Sequence, residues 1–253
     1  DGRQISYMAP WNDRLNVFVR PVGSPDTESV RITAETERSV AGYMWADNER
    51  LLFMKDTAGD ENYQLYGVRH DGSDLRAYTA FPGVRSSIID DLEEQPGFVL
   101  IGMNQRNPEV FDPYRLNLET GELTLLAENP GNIQGWMTDH NGALRVATAI
   151  VDGVNTQILY RDTEDEPFRA VLTTNFRDLV GFMEFTPDNR EVYAATNLNR
   201  DKTVLVRMNP ATCEELELLY ENEDYDIASI SYSRKRKKLL SVYCKGKKER
   251  IRQ

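Results

Sequence analysis

Short apolar runs, each closed by a polar turn, recur along the whole chain, and no stretch sustains the i, i+3, i+4 spacing of an amphipathic helix. The clearest unit starts at Gly42-Tyr43-Met44-Trp45, turns through Asp47-Asn48-Glu49, and returns as the apolar run Leu51-Leu52-Phe53-Met54. After the loop Asp56-Thr57-Ala58-Gly59-Asp60-Glu61-Asn62, an alternating strand Tyr63-Gln64-Leu65-Tyr66-Gly67-Val68 follows. The turn His70-Asp71-Gly72-Ser73 then leads to a fourth strand, Leu75-Arg76-Ala77-Tyr78-Thr79. Alternation at period two places one side of an outer strand against a core and the other in water.

The core of this unit, Trp45-Ala46-Asp47-Asn48-Glu49-Arg50-Leu51-Leu52-Phe53, has copies beginning at Trp136, Phe185 and Tyr232, so the steps from position 45 are 91, 49 and 47 residues. A weaker copy, Asp91-Leu92-Glu93-Glu94-Gln95-Pro96-Gly97-Phe98-Val99, falls within the long first step. A period of roughly 45 residues with several short strands per repeat predicts an all-β fold, a β-propeller of four-stranded blades. The expected blades are 1–38, 39–82, 83–130, 131–176, 177–224 and 225–253, about five complete and the sixth partial. Short polar residues suit the tight turns, and Asn141-Gly142 fits a type I′ hairpin. The aromatic before each turn is expected to pack between blades, since such a side chain removes about 150–250 Å² from water.

The composition, 40% hydrophobic and 28% charged, belongs to an ordinary globular chain, and no apolar run approaches the roughly 18 residues of a membrane helix. The chain opens at Asp1 without an initiator Met or a signal peptide, which reads as a processed or excised piece of something longer. Net charge is −11, but ten Lys/Arg and one acid lie in 234–253, leaving about −20 on the rest. Such an acidic body argues against non-specific nucleic-acid binding. The basic end could serve as a partner patch, but Arg234 to Lys238 fall on a predicted hairpin turn, where solvent is the ordinary surroundings.

Candidate chemistry is sparse. No Gly-x-Ser-x-Gly elbow occurs, and the only histidines, His70 and His140, sit in predicted turns beside Asp71 and Asp139. Cys213 and Cys244 form neither a disulfide framework nor a Cys-x-x-Cys metal pair, so no metal, cofactor or catalytic residue is assigned. Asp56, Asp60 and Glu61 crowd one loop, and Asp90, Asp91, Glu93 and Glu94 another, in spacings that match no calcium loop. The substrate-binding candidates are Glu61 in the first acidic loop and Arg85 and Arg106 near the predicted core strand of the third blade. Either arginine could hold a carboxylate as a bidentate fork.

Two stretches carry a resemblance. Asp56-x-x-Gly59-Asp60-Glu61-Asn62-Tyr63-Gln64-Leu65-Tyr66 is followed by Asp71-Gly72-Ser73-Asp74-Leu75-Arg76-x-x-Thr79. The second stretch runs from Asn104-x-Arg106-Asn107-Pro108 through Phe111-Asp112-x-Tyr114-Arg115-Leu116-Asn117-Leu118-Glu119-Thr120-Gly121. Both resemble the propeller domain of prolyl-oligopeptidase-family serine peptidases, most nearly the acylaminoacyl-peptidase-like branch. The resemblance implies a seven-bladed propeller capping a C-terminal α/β-hydrolase domain with a Ser-Asp-His triad, and filtering peptide substrates by size. No triad residue carries over to this chain. The paired glutamates with which dipeptidyl members hold a substrate amino terminus have no match, since Glu93-Glu94 falls in a blade hairpin.

The first reading is therefore a non-catalytic propeller domain gating access to a hydrolase domain outside this chain, with peptides as substrates and neither nucleic acid nor membrane as partner. The alternatives are a free-standing propeller scaffold for a protein or peptide partner, and a propeller enzyme with converging acids or a central metal. An incomplete ring would expose a blade edge and invite self-association. The sequence is compatible with a periplasmic or secreted location and with a cytoplasmic one.

Overall fold

A computed structural model of the chain describes residues 2–246 and the backbone of 250–252. Apart from a 3-10 turn at Asp26–Glu28, the regular structure of the described residues is all β. Six antiparallel sheets follow one another in chain order, each strand pairing with the next. The first contains β1 (Gln4–Trp11), β2 (Arg14–Pro21) and β3 (Val30–Arg31). The second contains β4 (Gly42–Trp45), β5 (Arg50–Lys55), β6 (Gln64–Arg69) and β7 (Arg76–Ala77). The third contains β8 (Ser86–Asp90), β9 (Phe98–Met103), β10 (Asp112–Asn117) and β11 (Leu123–Leu125).

The fourth sheet is β12 (Ile133–Thr138), β13 (Leu144–Val151), β14 (Asn155–Tyr160) and β15 (Arg169–Thr174). The fifth is β16 (Val180–Phe185), β17 (Val192–Thr196), β18 (Val204–Met208) and β19 (Glu215–Tyr220). The last is β20 (Asp226–Ser233), β21 (Lys238–Lys245) and β22 (Arg250–Arg252). The chain divides after Asn129 into two compact units, the first holding sheets one to three and the second sheets four to six.

The first sheet is most of a blade. The Thr33 hydroxyl accepts the Val17 N–H at 2.9 Å, as the Thr79 hydroxyl accepts the Leu65 N–H at 2.7 Å. Hence β2 occupies the place of β6, and β1 to β3 match the second to fourth strands of the repeat. In the last sheet Tyr232 on β20 takes the leading-aromatic position, so its strands match the first to third. Four sheets thus have all four strands, and the two flanking ones show three each.

Within each unit, successive residues of one strand feed two different cores. On β5, Leu51 and Phe53 pack with Val17, Val19 and Ile32 of the first sheet, while Leu52 packs with Val99, Ile101 and Leu116 of the third. On β18, Val204, Val206 and Met208 join Val146, Ile158 and Tyr160 of the fourth sheet, while Leu205 joins Ile227 and Val242 of the last. This is period-two geometry with both sides covered. It explains a difference from the expected alternation: β6 and β10 are buried on both faces, and the largely wet strand is the fourth, as in β19. Full burial of each such Leu or Val contributes about 1.5–3 kcal/mol.

Candidate functional site

Strand register decides which loops share an end. In the second sheet, Gly42 pairs with Met54, Lys55 with Gln64, and the Thr79 N–H reaches back to Leu65 O. The connector 32–41, the loop 56–63 and the connector 78–85 therefore lie at one end of that sheet. Neighbouring sheets are sewn together there: the Val40 N–H donates to Leu15 O at 2.9 Å and the Ser86 N–H to Tyr63 O at 2.8 Å. At or near the start of each third strand sits a buried polar anchor, namely Asn16, Gln64 and Asp112. The Asn16 side-chain carbonyl accepts from the Thr33 hydroxyl at 2.9 Å and from the Glu35 N–H at 2.7 Å, fixing where the chain leaves the first sheet.

This loop end of the first unit holds a cleft of about 440 Å³ lined by Arg14, Glu37, Arg38, Ser39, Val40, Ala41, Asp56 and Tyr63. On one side, Arg38 Nε donates to Asp56 Oδ1 at 3.0 Å. That hydrogen bond holds the Asp56 carboxyl below the usual aspartate range and raises Arg38 above the usual arginine value. Asp60 shapes the loop, its Oδ1 accepting the N–H groups of Asn62 at 3.0 Å and Thr57 at 3.2 Å. Glu61 holds a left-handed backbone (φ +57°), donates its N–H to Asp56 Oδ2 at 3.4 Å, and leaves its side chain exposed. The guanidinium of Arg85 lies over the Tyr63 ring at 6.0 Å, and its side chain is exposed. Ser39 is the one hydroxyl among serine, threonine and cysteine residues in the lining, and its Oγ accepts the Leu15 N–H at 3.0 Å.

Of the three residues singled out from sequence, Glu61 and Arg85 flank this cleft through Asp56 and Tyr63. Arg106 is used differently. Its fork closes on Asp112 of its own sheet, Nε to Oδ2 at 2.8 Å and Nη2 to Oδ1 at 2.9 Å, and Nη2 also donates to Asn129 O at 2.8 Å. Asp112 is fully buried and accepts the Asn129 N–H at 2.7 Å, so the fork locks the exit from the third sheet. Arg14, Glu37 and Arg38 were not singled out by sequence reasoning. The phase of the repeat was the available signal, because Arg14 lies just before a predicted strand and Glu37 and Arg38 lie in the connector between two of them.

The remaining candidates stay apart. His70 sits in the β6–β7 turn with Nδ1 3.3 Å from Glu49 O. His140, in the β12–β13 turn, places Nε2 2.9 Å from Phe185 O. Asp90 shapes the β8–β9 hairpin by accepting the Leu92 N–H at 3.0 Å, at the other end of the third sheet from Arg85 and Arg106. Among the described residues no three His, Cys, Asp or Glu side chains gather as a metal site. What the cleft offers is both signs of charge around an aromatic ring.

No family model matches the sequence. The chain is 28% identical over 220 residues to dipeptidyl aminopeptidase BIII of Pseudoxanthomonas mexicana, covering 84% of this chain and 31% of that protein. It is also 28% identical over 264 residues to dipeptidyl peptidase family member 6 of Caenorhabditis elegans, covering 96% of this chain and 35% of the relative. The chain thus spans about a third of the length of the curated relatives it matches. Both are dipeptidyl peptidases by name, and neither carries the acylaminoacyl name expected from the motifs. Among solved structures, a prolyl endopeptidase aligns with a TM-score of 0.67 at 12% identity, covering 96% of this chain and 38% of that one, a likeness of fold alone. With strand meanders repeating at propeller spacing and sequence similarity reaching across most of its length, the chain is a β-propeller, similar in sequence to part of two dipeptidyl peptidases and in fold to part of a prolyl endopeptidase.

Proposed function

We propose that this chain is the non-catalytic propeller domain of a serine peptidase and controls which peptides reach an α/β-hydrolase domain outside these 253 residues. The observation that carries this reading is the lopsided match, 84% of this chain against 31% of a named aminopeptidase. The local chemistry agrees with it. Each histidine lies against a backbone carbonyl in a separate turn, and the polar cleft described above is lined by Arg38, Asp56 and Tyr63, flanked by Glu61 and Arg85, without a free nucleophile. The role is steric and electrostatic: short zwitterionic peptides pass and are oriented, and folded proteins are kept out. Peptides entering as substrates, and the hydrolase domain as the covalent partner, belong to this same proposal.

The test uses the full gene product with a short chromogenic peptide and with the same peptide fused to a stable folded protein. Cleavage of the free peptide with sparing of the fusion is the expected result. Equal cleavage of both would contradict gating. Arg85→Ala and Glu61→Ala should then raise KM with little change in kcat, because each removes binding common to ground and transition states.

A further inference from the structure

The β20–β21 turn departs from its counterparts in two respects. In the turns joining first to second strands elsewhere, an aspartate caps the backbone. Asp47 Oδ1 accepts from Glu49 N at 2.7 Å and Arg50 N at 2.8 Å, Asp139 Oδ1 from Asn141 N at 2.9 Å and Ala143 N at 3.0 Å, and Asp188 Oδ1 from Arg190 N at 3.2 Å. In the last sheet the cap is the Ser233 hydroxyl, accepting from Arg236 N at 3.2 Å, and the turn reads Arg234-Lys235-Arg236-Lys237-Lys238.

The second departure is conformational. The left-handed residues of the corresponding turns are Leu92 and Gly97, Gly142, and Asn189, mostly residue types that tolerate positive φ. Here the left-handed residue is Lys237, at φ +51°. A turn-compatible residue has been passed over, and the run of cations stays unbroken.

Four of those cations are unneutralised among the described residues. Arg234 approaches Glu184 at 3.7 Å, but Lys235, Arg236, Lys237 and Lys238 are exposed and make no ion pair among the described residues. Elsewhere arginines find carboxylates readily, as Arg50 does with Asp74 and Arg200 with Glu215. The base of the hairpin is held firmly: Tyr232 stacks on His140 with centroids 5.2 Å apart and leans on Tyr193 at 5.9 Å. Like charges are therefore kept within a Debye length of about 8–10 Å of one another. Local rules broken together at one place, without a compensating contact, mark a functional surface.

We propose that this hairpin tip is a docking point for an acidic polypeptide segment. A membrane or a nucleic acid presents an extended negative surface, which residues 1–233, at about −20, repel. A short acidic segment engages the four free cations at the tip without approaching that body. Arg236 supplies a planar fork for one carboxylate and the lysines supply point charges.

Fluorescence anisotropy of the whole chain with a labelled peptide of alternating Asp and Glu, about eight residues long, tests this. Saturable binding is expected, weakening at least about tenfold as salt rises from about 50 to about 300 mM. Lys235→Glu with Lys237→Glu should weaken it by a further factor of at least about ten at unchanged Tm. Lys237→Gly separates function from turn geometry: it should raise Tm by about 2 °C yet weaken binding about two- to fivefold. Binding by the double variant equal to the unsubstituted chain would overturn the proposal. So would a gain in Tm for Lys237→Gly with no loss of binding, or tighter binding of phosphatidylserine vesicles or a single-stranded oligonucleotide of equal charge.

Discussion

In the first unit, carboxylates organise the side chains that lace neighbouring sheets together. Asp74 accepts from Arg76 Nε at 2.8 Å and from Arg50 Nη2 at 2.5 Å, and so aligned, Arg76 donates from Nη1 to Leu118 O at 3.2 Å and to Glu119 O on the third sheet. Asp112 likewise aligns Arg106 on the exit of the third sheet, and Glu35 receives Lys55 at 2.8 Å. In the second unit backbone carbonyls and an amide oxygen take a larger share, beside carboxylate contacts such as Thr203 N–H to Asp226 Oδ1 at 2.8 Å. Arg145 is buried between the rings of Phe185 and Tyr160, at 4.9 and 5.2 Å, and donates Nη1 to Asn189 O at 2.9 Å, with Nη2 meeting the Tyr160 hydroxyl. The His140 N–H donates to Asn189 Oδ1 at 2.9 Å, and Arg161 Nε donates to Leu144 O at 2.8 Å. Carbonyl acceptors do not titrate and carboxylates do. One repeat therefore yields a first half that leans more heavily on titratable acceptors and a second that leans on them less.

The largest expected effect comes from removing the centre of the second arrangement. Arg145→Ala strips the donor from Asn189 O and from Asp139, which it meets at 3.3 Å, and should destabilise by about 3–5 kcal/mol in urea unfolding. A loss under about 1 kcal/mol would mean that Arg145 only fills space. In the first unit the tightest point is Gly67, where an added Cβ would stand 2.6 Å from Tyr78 Cε2. Gly67→Ala must push that ring away and break its hydroxyl bond to Leu118 O, now 2.7 Å, at a cost of about 1–3 kcal/mol by the same measurement.

The acid contrast is subtler. The hydrogen bonds from Arg76 and then Arg50 hold Asp74 at a pKa of about 2, against an ordinary 3.8. A depressed folded-state pKa gives stability that is complete above the ordinary value and is lost as pH falls through the folded one. The loss should therefore develop between about pH 4 and pH 2, and Asp56, lowered by its bond from Arg38, should add to it. Asp74→Asn should lower Tm at neutral pH and flatten the decline below pH 4, as followed by circular dichroism. An unaltered acid profile would place the sensitivity elsewhere. Smallest is the effect at Cys213, whose thiol burial pushes up to about 11; it should react with a disulfide reagent far more slowly at pH 8 than a free thiol, and fast reaction would show an open site.

How much of this was readable from the sequence depends on the range over which each signal acts. The turns were readable because Asp47, Asn141-Gly142 and Asp188 act on their own backbone within a few residues. The all-β class followed from apolar runs such as Leu51-Leu52-Phe53. The two-sided burial of β6 did not, because it needs a neighbouring sheet that local alternation cannot report. The site was less legible. Glu61 and Arg85 flank the cleft, but Arg106 answers Asp112 six residues away in sequence, and nothing local distinguishes an arginine awaiting a ligand from one already paired. Arg38 went unnoticed because its partner Asp56 lies across a whole strand pair.

The central claim is that this propeller serves a peptidase whose nucleophile lies outside it. The most direct measurement is labelling of the full gene product and of these 253 residues, side by side, with a fluorophosphonate probe, followed by mapping of the modified serine. The account predicts label on the full product only, at a serine outside this chain. Label on a serine within the 253 residues, or none on either protein, would contradict it.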